Sequence, residues 1–209
     1  MKNFLKNKIQ SIIETDKIQA KKKVIDIGCA DVRPYSEYLI NQFDYYVGVD
    51  IDTYCLNKAK KKNFLNRKPI FQFGSVEKLN FKNSSFDVII CNNMIAYTNK
   101  KRAIEEMLRI LKKGGILISL FNNKIDYSIW KIFHRTSRGK LIEIIHSLTV
   151  ILNTVFFKIF RIKFFHTTFN TETEIRVILD NSKYNIDFQI ESIINGLPYS
   201  VINLKIYKK

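Results

Sequence analysis

Proline is scarce: the 209 residues contain only Pro34, Pro69 and Pro198. No low-complexity linker cuts the chain and no internal repeat is visible, so one domain over residues 1–209 is expected. Cysteine is scarce too. Cys29, Cys55 and Cys91 form an odd set without CxxC spacing, which excludes a disulfide framework and a zinc site and fits a reducing, cytoplasmic setting. Long apolar runs are missing as well. The first ten residues carry Lys2, Lys6 and Lys8 and no apolar core, so they do not read as a secretory leader. The greasiest stretch, 148–160, is broken by Thr149, Asn153, Thr154 and Lys158 and falls short of the ~20 residues that a spanning helix needs. Acidic residues are outnumbered. Thirty-five Lys and Arg against 19 Asp and Glu leave a net charge of +16. Such a balance points to a polyanionic partner: nucleic acid, an anionic membrane surface or a phosphorylated substrate. The abundance of Lys, Asn and Ile also fits an AT-rich coding sequence that scatters lysines over solvated faces, and charge alone does not choose.

What is present is a core. Apolar residues make up 46% of the chain, which excludes a disordered composition. Phe4, Leu5, Ile9, Ile12 and Ile13 recur at helical spacing within 4–19. Short apolar runs at 24–27, 45–49, 70–73, 86–91 and 116–121 read as buried strands. Between them, helices are expected over 34–42, 54–63 and 100–111, the first entered by Pro34 and the last closed by a Gly114-Gly115 cap and turn. The regular alternation means a parallel sheet covered by helices on both faces. After 121 the rhythm breaks. Residues 122–168 form a basic, aromatic and apolar insertion, read as a helical lid, in which eight Lys and Arg face only Asp126 and Glu143. A helix over 171–181, opened by Thr171 and Glu174 at capping-box spacing, and an antiparallel strand pair over 184–193 and 199–207 close the chain.

The chemistry gathers at strand ends. The first strand runs Val24-Ile25-Asp26-Ile27-Gly28-Cys29-Ala30-Asp31, and Asp50 follows Gly28 by 22 residues at the end of the second strand. Ligands of open α/β sheets bind at the carboxyl ends of the strands, and a small turn residue lets backbone approach them closely. A carboxylate at that distance is placed to accept hydrogen bonds from both hydroxyls of a ribose. The absence of G-x-G-x-x-G removes the pyrophosphate cradle of a dinucleotide site.

Two further runs are more specific: Glu77, Leu79, Phe81 and Ser85-Phe86-Asp87-Val88, then Arg109-Ile110-Leu111-Lys112-Lys113-Gly114-Gly115. With these the chain resembles the class I S-adenosylmethionine-dependent methyltransferases, in particular the small-molecule group related to ubiquinone and menaquinone methyltransferases. The resemblance covers 20–121 well and 166–207 more loosely. It implies a Rossmann-like fold: a seven-stranded, mostly parallel sheet with an antiparallel last strand. It also implies S-adenosyl-L-methionine as cofactor and S-adenosyl-L-homocysteine as product. Asp26, Gly28 and Ala30 are then expected by the methionine part of the cofactor and Asp50 on the ribose. Ile51 is expected to pack on the adenine, Ser75 and Val76 at its edge, and Asn92 at the methyl-transfer end. Phe86, Asp87, Arg109 and Gly115 read as scaffold. Ala30 and Val32 replace two glycines of the family motif, and Ser75 replaces an aspartate. Because a β-branched residue resists positive φ, the first turn is expected to be reshaped.

On the acceptor side two catalytic candidates stand out. His166 precedes the capped helix, where this family often borders its substrate pocket, and Tyr97 follows the fourth strand. The insertion is the expected specificity element, either as lid core or as a surface meeting an anionic membrane or lipid-linked substrate. The Asp26-Ile27-Gly28-Cys29…Arg33-Pro34-Tyr35 run is similar to methyltransferases associated with bacterial surface polysaccharides. O-methylation of a small metabolite or of a glycan- or lipid-linked intermediate is therefore the leading expectation. An RNA or other nucleic-acid methyltransferase, suggested by the charge, and a non-catalytic scaffold that kept the fold are the alternatives. Neither an Asn-Pro-Pro-Tyr motif, nor a catalytic cysteine context, nor an appended RNA-binding module is present.

Overall fold

A computed structural model describes residues 2–18, 22–64, 67–95, 98–122, 141–160, 172–193 and 201–209. The first half alternates as expected: α1 (Lys2–Thr15), β1 (Lys23–Ile27), α2 (Pro34–Gln42), β2 (Tyr45–Asp50), α3 (Thr53–Lys60), β3 (Ile70–Phe73), β4 (Phe86–Cys91) and α4 (Lys100–Ile110). The second half comprises β5 (Leu111–Asn122), α5 (Leu141–Phe160), α6 (Glu172–Asp180), β6 (Ile186–Ile193) and β7 (Val201–Lys208). Side chains start and stop these elements. Asp52 caps α3 by accepting from the Tyr54 and Cys55 amides, Asn99 caps α4 by accepting from Arg102, and Pro34 opens α2.

The strands form one sheet in the order β3-β2-β1-β4-β5-β7-β6. The β3, β2, β1, β4 and β5 neighbours pair in parallel, and β7 runs antiparallel to both β5 and β6. Chain order reverses between β1 and β4, so the site expected of such sheets lies at the carboxyl ends of those two strands.

Alternation along each strand divides the core in two, because successive side chains point to opposite faces. Ile25, Ile27, Val47, Val49, Ile89 and Leu117 pack toward α4 and α6, on Ile104, Met107, Leu108 and Ile175. Val24, Tyr46, Val88, Ile90, Ile116 and Ile118 pack toward α1, α2 and α3, on Ile9, Ile12, Leu39, Ile40 and Leu56.

One expectation needs correction. Gly114-Gly115 does not cap α4. Leu111 ends that helix in an extended conformation and already pairs with Phe86, and the register then slips so that Val88 meets Ile116. The two glycines lie in that irregular part of β5, where Gly114 has φ +70°. The scaffold reading of the neighbouring run is concrete. The Arg109 guanidinium donates to the Leu79 and Phe81 carbonyls and pairs with Glu106. Asp87 accepts from the Lys23 amide and from Lys112.

Candidate active site

The first turn is held from the second strand. The Gly28 amide donates to the Val49 carbonyl at 2.7 Å, and the Cys29 amide shares that acceptor. The Ala30 amide donates to Asp50 Oδ2 at 2.8 Å, while Asp50 Oδ1 accepts from the Asp52 amide at 2.9 Å. Asp50 therefore fixes the β1–α2 and β2–α3 turns against each other. Each of its oxygens has a second lone pair left for a ligand.

The turn is not reshaped. Gly28, Ala30 and Val32 have φ of +79°, +51° and +67°, the left-handed region that glycine enters freely. For alanine and valine this costs about 1 kcal/mol or more each. The surroundings hold it: the Val32 amide donates to the Cys29 carbonyl, Lys62 Nζ donates to the Val32 carbonyl, and Val32 itself is buried. The backbone contour that glycines would give survives their replacement.

Asp26 lies beneath that turn, wholly out of solvent. Its carboxylate accepts from Ser36 Oγ at 2.5 Å, Tyr46 Oη at 2.9 Å and Tyr35 Oη at 3.2 Å. Burial pushes its pKa up to about 6, against the opposing pull of the three hydroxyls. Asp26 thus acts as a buried hub joining β1, α2 and β2, and it supports the turn from below. Sequence reasoning missed Tyr35, Ser36 and Tyr46. A signal was available in a tyrosine-serine pair in the first turn of a helix facing a strand that contains aspartate.

At the end of β4, Asn92 is buried and its Oδ1 accepts from the Leu120 amide at 3.2 Å. Its Nδ2 interacts electrostatically with the Tyr35 hydroxyl but meets no acceptor at hydrogen-bonding geometry. A buried donor left open in this way costs free energy until an acceptor reaches it. Met94, which the sequence reading also missed, lies over the turn. A Cβ built on Gly28 would come within 2.5 Å of Met94 Cγ, so only glycine leaves room for the methionine there. No local pattern announces Met94; only its distance past Asn92 places it.

The remaining predicted residues come to the same end of the sheet. Ile51 leaves β2 with its side chain 57% exposed, an apolar surface free to cover a ring. Ser75 follows β3, its Oγ accepting from the Glu77 amide, and Val76 beside it is buried. Asp26, Gly28, Ala30, Asp50, Ile51, Ser75, Val76 and Asn92 are thus brought to the carboxyl ends of β1 to β4. His166 and Tyr97 lie outside the described residues, as does Thr171 of the expected capping box. Glu174, its partner there, pairs with Lys100. The Cys29 and Cys91 thiols are buried, and desolvation drives their pKa values up, to about 12 for Cys91. They are inert as nucleophiles.

Strand order, the antiparallel β7 and a site at the β1/β4 reversal define the class: this is the Rossmann-like fold of the methyltransferases. The family model described as a methyltransferase domain matches residues 25–119. The magnesium protoporphyrin IX methyltransferase of Synechocystis PCC 6803, crystallised with bound SAH, shares the fold with a TM-score of 0.67 and 16% identity, over 98% of this chain and 82% of that one. A SAM-dependent methyltransferase from Methanosarcina mazei shares it with a TM-score of 0.61 and 20% identity, over 93% of this chain and 94% of the other. Among curated proteins, an uncharacterized protein of Methanocaldococcus jannaschii is 32% identical over 140 residues, 64% of this chain and 58% of the relative. The chain spans about half the length of the curated relatives it matches.

Proposed function

We propose that the protein transfers a methyl group from S-adenosylmethionine to a small metabolite or to a glycan- or lipid-linked intermediate, most simply at a hydroxyl. One observation carries the cofactor reading. The turn keeps its left-handed contour at 28, 30 and 32, pinned by the same Asp50 carboxylate that the family motif sets on the ribose. The cofactor fits the groups present. Asp50 has free lone pairs, Ile51 offers an apolar face, and Asn92 has an unmet donor. Bound there, S-adenosylmethionine supplies a methyl group already activated on a sulfonium.

The chain's own task is then to bind, align and exclude water, and alignment supplies much of the rate. Asp50 holds the ribose, Ile51 and Val76 flank the adenine with Ser75 at its edge, and Gly28 and Ala30 admit the methionine portion. Asp26 positions this turn from below without reaching the ligand. Asn92 and Met94 border the methyl-transfer end. His166 is the candidate base for an acceptor proton, with Tyr97 beside the acceptor.

The nucleic-acid alternative has a specific surface to weigh. Lys60, Lys62, Arg67 and Lys68 line a cavity of about 450 Å³ floored by Phe64 and Phe71. It borders the loop that enters β3 at its amino end, whereas the cofactor residues lie at the carboxyl ends of the strands. Arg67 is also paired with Asp44. Of this cluster, Lys62 also reaches the first turn at the Val32 carbonyl, so RNA is kept among the acceptors tested.

The test is transfer of isotopically labelled methyl from S-adenosylmethionine to four acceptor pools: hydroxylated metabolites, free glycans, lipid-linked glycans and total RNA. Label in one of the first three supports the proposal. Label in RNA alone overturns the substrate class, and label in none, from a protein that binds the cofactor, overturns all three acceptor classes.

A further inference from the structure

Helix α5 exposes an apolar face. Its twenty residues, LIEIIHSLTVILNTVFFKIF, include two charges, Glu143 and Lys158. A helix of a water-soluble domain turns its apolar stripe to the core and its polar residues to solvent. Here Ile145, Leu148, Leu152, Val155, Phe156 and Ile159 are each between 40% and 65% exposed, while Asn153 is buried. Thr149 is spent on the helix itself, its Oγ1 donating to the Ile145 carbonyl. At 100° per residue the six apolar positions span an arc of about 100° on one side of the helix. A contiguous apolar face of that kind marks a surface meant for something other than water.

Two occupants compete. Positions 145, 148, 152, 155 and 159 follow 3-4-3-4 spacing, which suits a second helix, and a second copy of this chain would supply one. Partner helices, however, are chosen and aligned by charged residues flanking the seam. The flanking positions 144, 149, 151, 156 and 158 are Ile, Thr, Ile, Phe and Lys, so a single charge flanks the seam. Pairing would also bring two chains of charge +16 together. The same charge favours the other occupant. Within 122–168, Lys and Arg number eight against one Asp and one Glu, an excess that attracts anionic headgroups. Among the described residues, no helix is long and apolar enough to cross a membrane, so such a helix lies on the bilayer.

We propose that α5 is a membrane-surface helix whose exposed apolar face seats in the headgroup–acyl boundary of an anionic bilayer. Apolar burial and headgroup attraction then act together, as they do for amphipathic surface helices. The consequence for substrate rests on the methyl-transfer reading: the acceptor is a membrane-resident, lipid-linked molecule.

The experiment is co-sedimentation of the full chain with vesicles of equimolar phosphatidylcholine and phosphatidylglycerol, and with vesicles of phosphatidylcholine alone. The expected result is sedimentation with the first, much less with the second, and partial release by salt. Leu152→Asp with Ile159→Asp should weaken vesicle binding by about tenfold or more, with circular dichroism and cofactor affinity unchanged. Leu152→Ser with Ile159→Ser is the gentler pair should the aspartates disturb folding. Absence of sedimentation with either vesicle overturns the proposal, as does equal sedimentation of wild type and variants. A concentration-dependent dimer that the variants dissolve, without vesicle binding, assigns the face to a second copy instead. A chain that binds vesicles but not S-adenosylmethionine leaves this inference standing and removes the methyl-transfer reading; the reverse removes only this one.

Discussion

Asp26 and Asn153 are both buried polar side chains, yet their neighbourhoods differ completely. Around Asp26 the chain supplies everything the carboxylate needs: three hydroxyls from α2 and β2, with two apolar cores packed above and below. Around Asn153, apolar side chains of the same helix are exposed to the outside. The first arrangement is complete within the fold. The second stands beside an apolar face that is open to the outside. It is the exposed apolar face, not the buried polar group, that distinguishes the second neighbourhood.

That comparison breaks first at Asp26. Replacing it by alanine strands three buried hydroxyls, each costly without an acceptor. Asp26→Ala should lower stability by about 3 kcal/mol, a fall in Tm on the order of 10 °C by calorimetry; an unchanged Tm would show that the hub holds nothing. Asp26→Asn isolates the charge. Because the folded pKa is raised to about 6 from 3.8, the unfolded chain ionises first as pH rises. The folded state then holds the extra proton, so this group's contribution is full below about pH 4 and lost by about pH 6, a change of about 3 kcal/mol. The variant should flatten that part of the stability curve, measured by denaturant titration at each pH.

Asp50→Ala removes the ribose acceptor and frees the Ala30 and Asp52 amides together. Cofactor affinity should fall by about a hundredfold and stability by about 1 kcal/mol. Equal affinity would separate Asp50 from the ligand. On the other side of the comparison, Leu152→Ser should change stability in water by less than about 0.5 kcal/mol, as exposed positions do. A loss of several kcal/mol in urea unfolding would turn α5's outer face back into core. The smallest effect belongs to Ala30→Gly. Relief of positive φ and the added entropy of the unfolded chain nearly cancel, leaving a change within about 0.5 kcal/mol, with cofactor affinity kept or raised.

The strands were legible because buried parallel strands read as short continuous apolar runs; β3 and β4 begin and end where the pattern places them. The position of Asp50 was legible because the apolar run of β2 ends on it. The shape of the first turn was not. Residue type at 30 and 32 argued for a new contour, but the amide of Ala30 and the carbonyl of Val32 are held by Asp50 and Lys62, 20 and 30 residues away. Long-range partners overrode local preference. The three donors to Asp26 escaped for the same reason, since they lie 9, 10 and 20 residues off. Gly114-Gly115 misled because a glycine pair after a helix serves equally as a cap or as a strand irregularity, and the pairing of Leu111 with Phe86 decides. The exposure of α5's apolar face could not be read from composition, because periodicity reports that a helix has an apolar face but not which way it points.

Calorimetric titration of the protein with S-adenosylmethionine and with S-adenosylhomocysteine tests the central claim most directly. The account predicts micromolar binding of both, weakened by about a hundredfold in Asp50→Ala. No heat from either ligand, in a protein shown to be folded, would contradict it. It would mean that Ala30, Val32 and Ser75 preserve the contour of a cofactor site without its function.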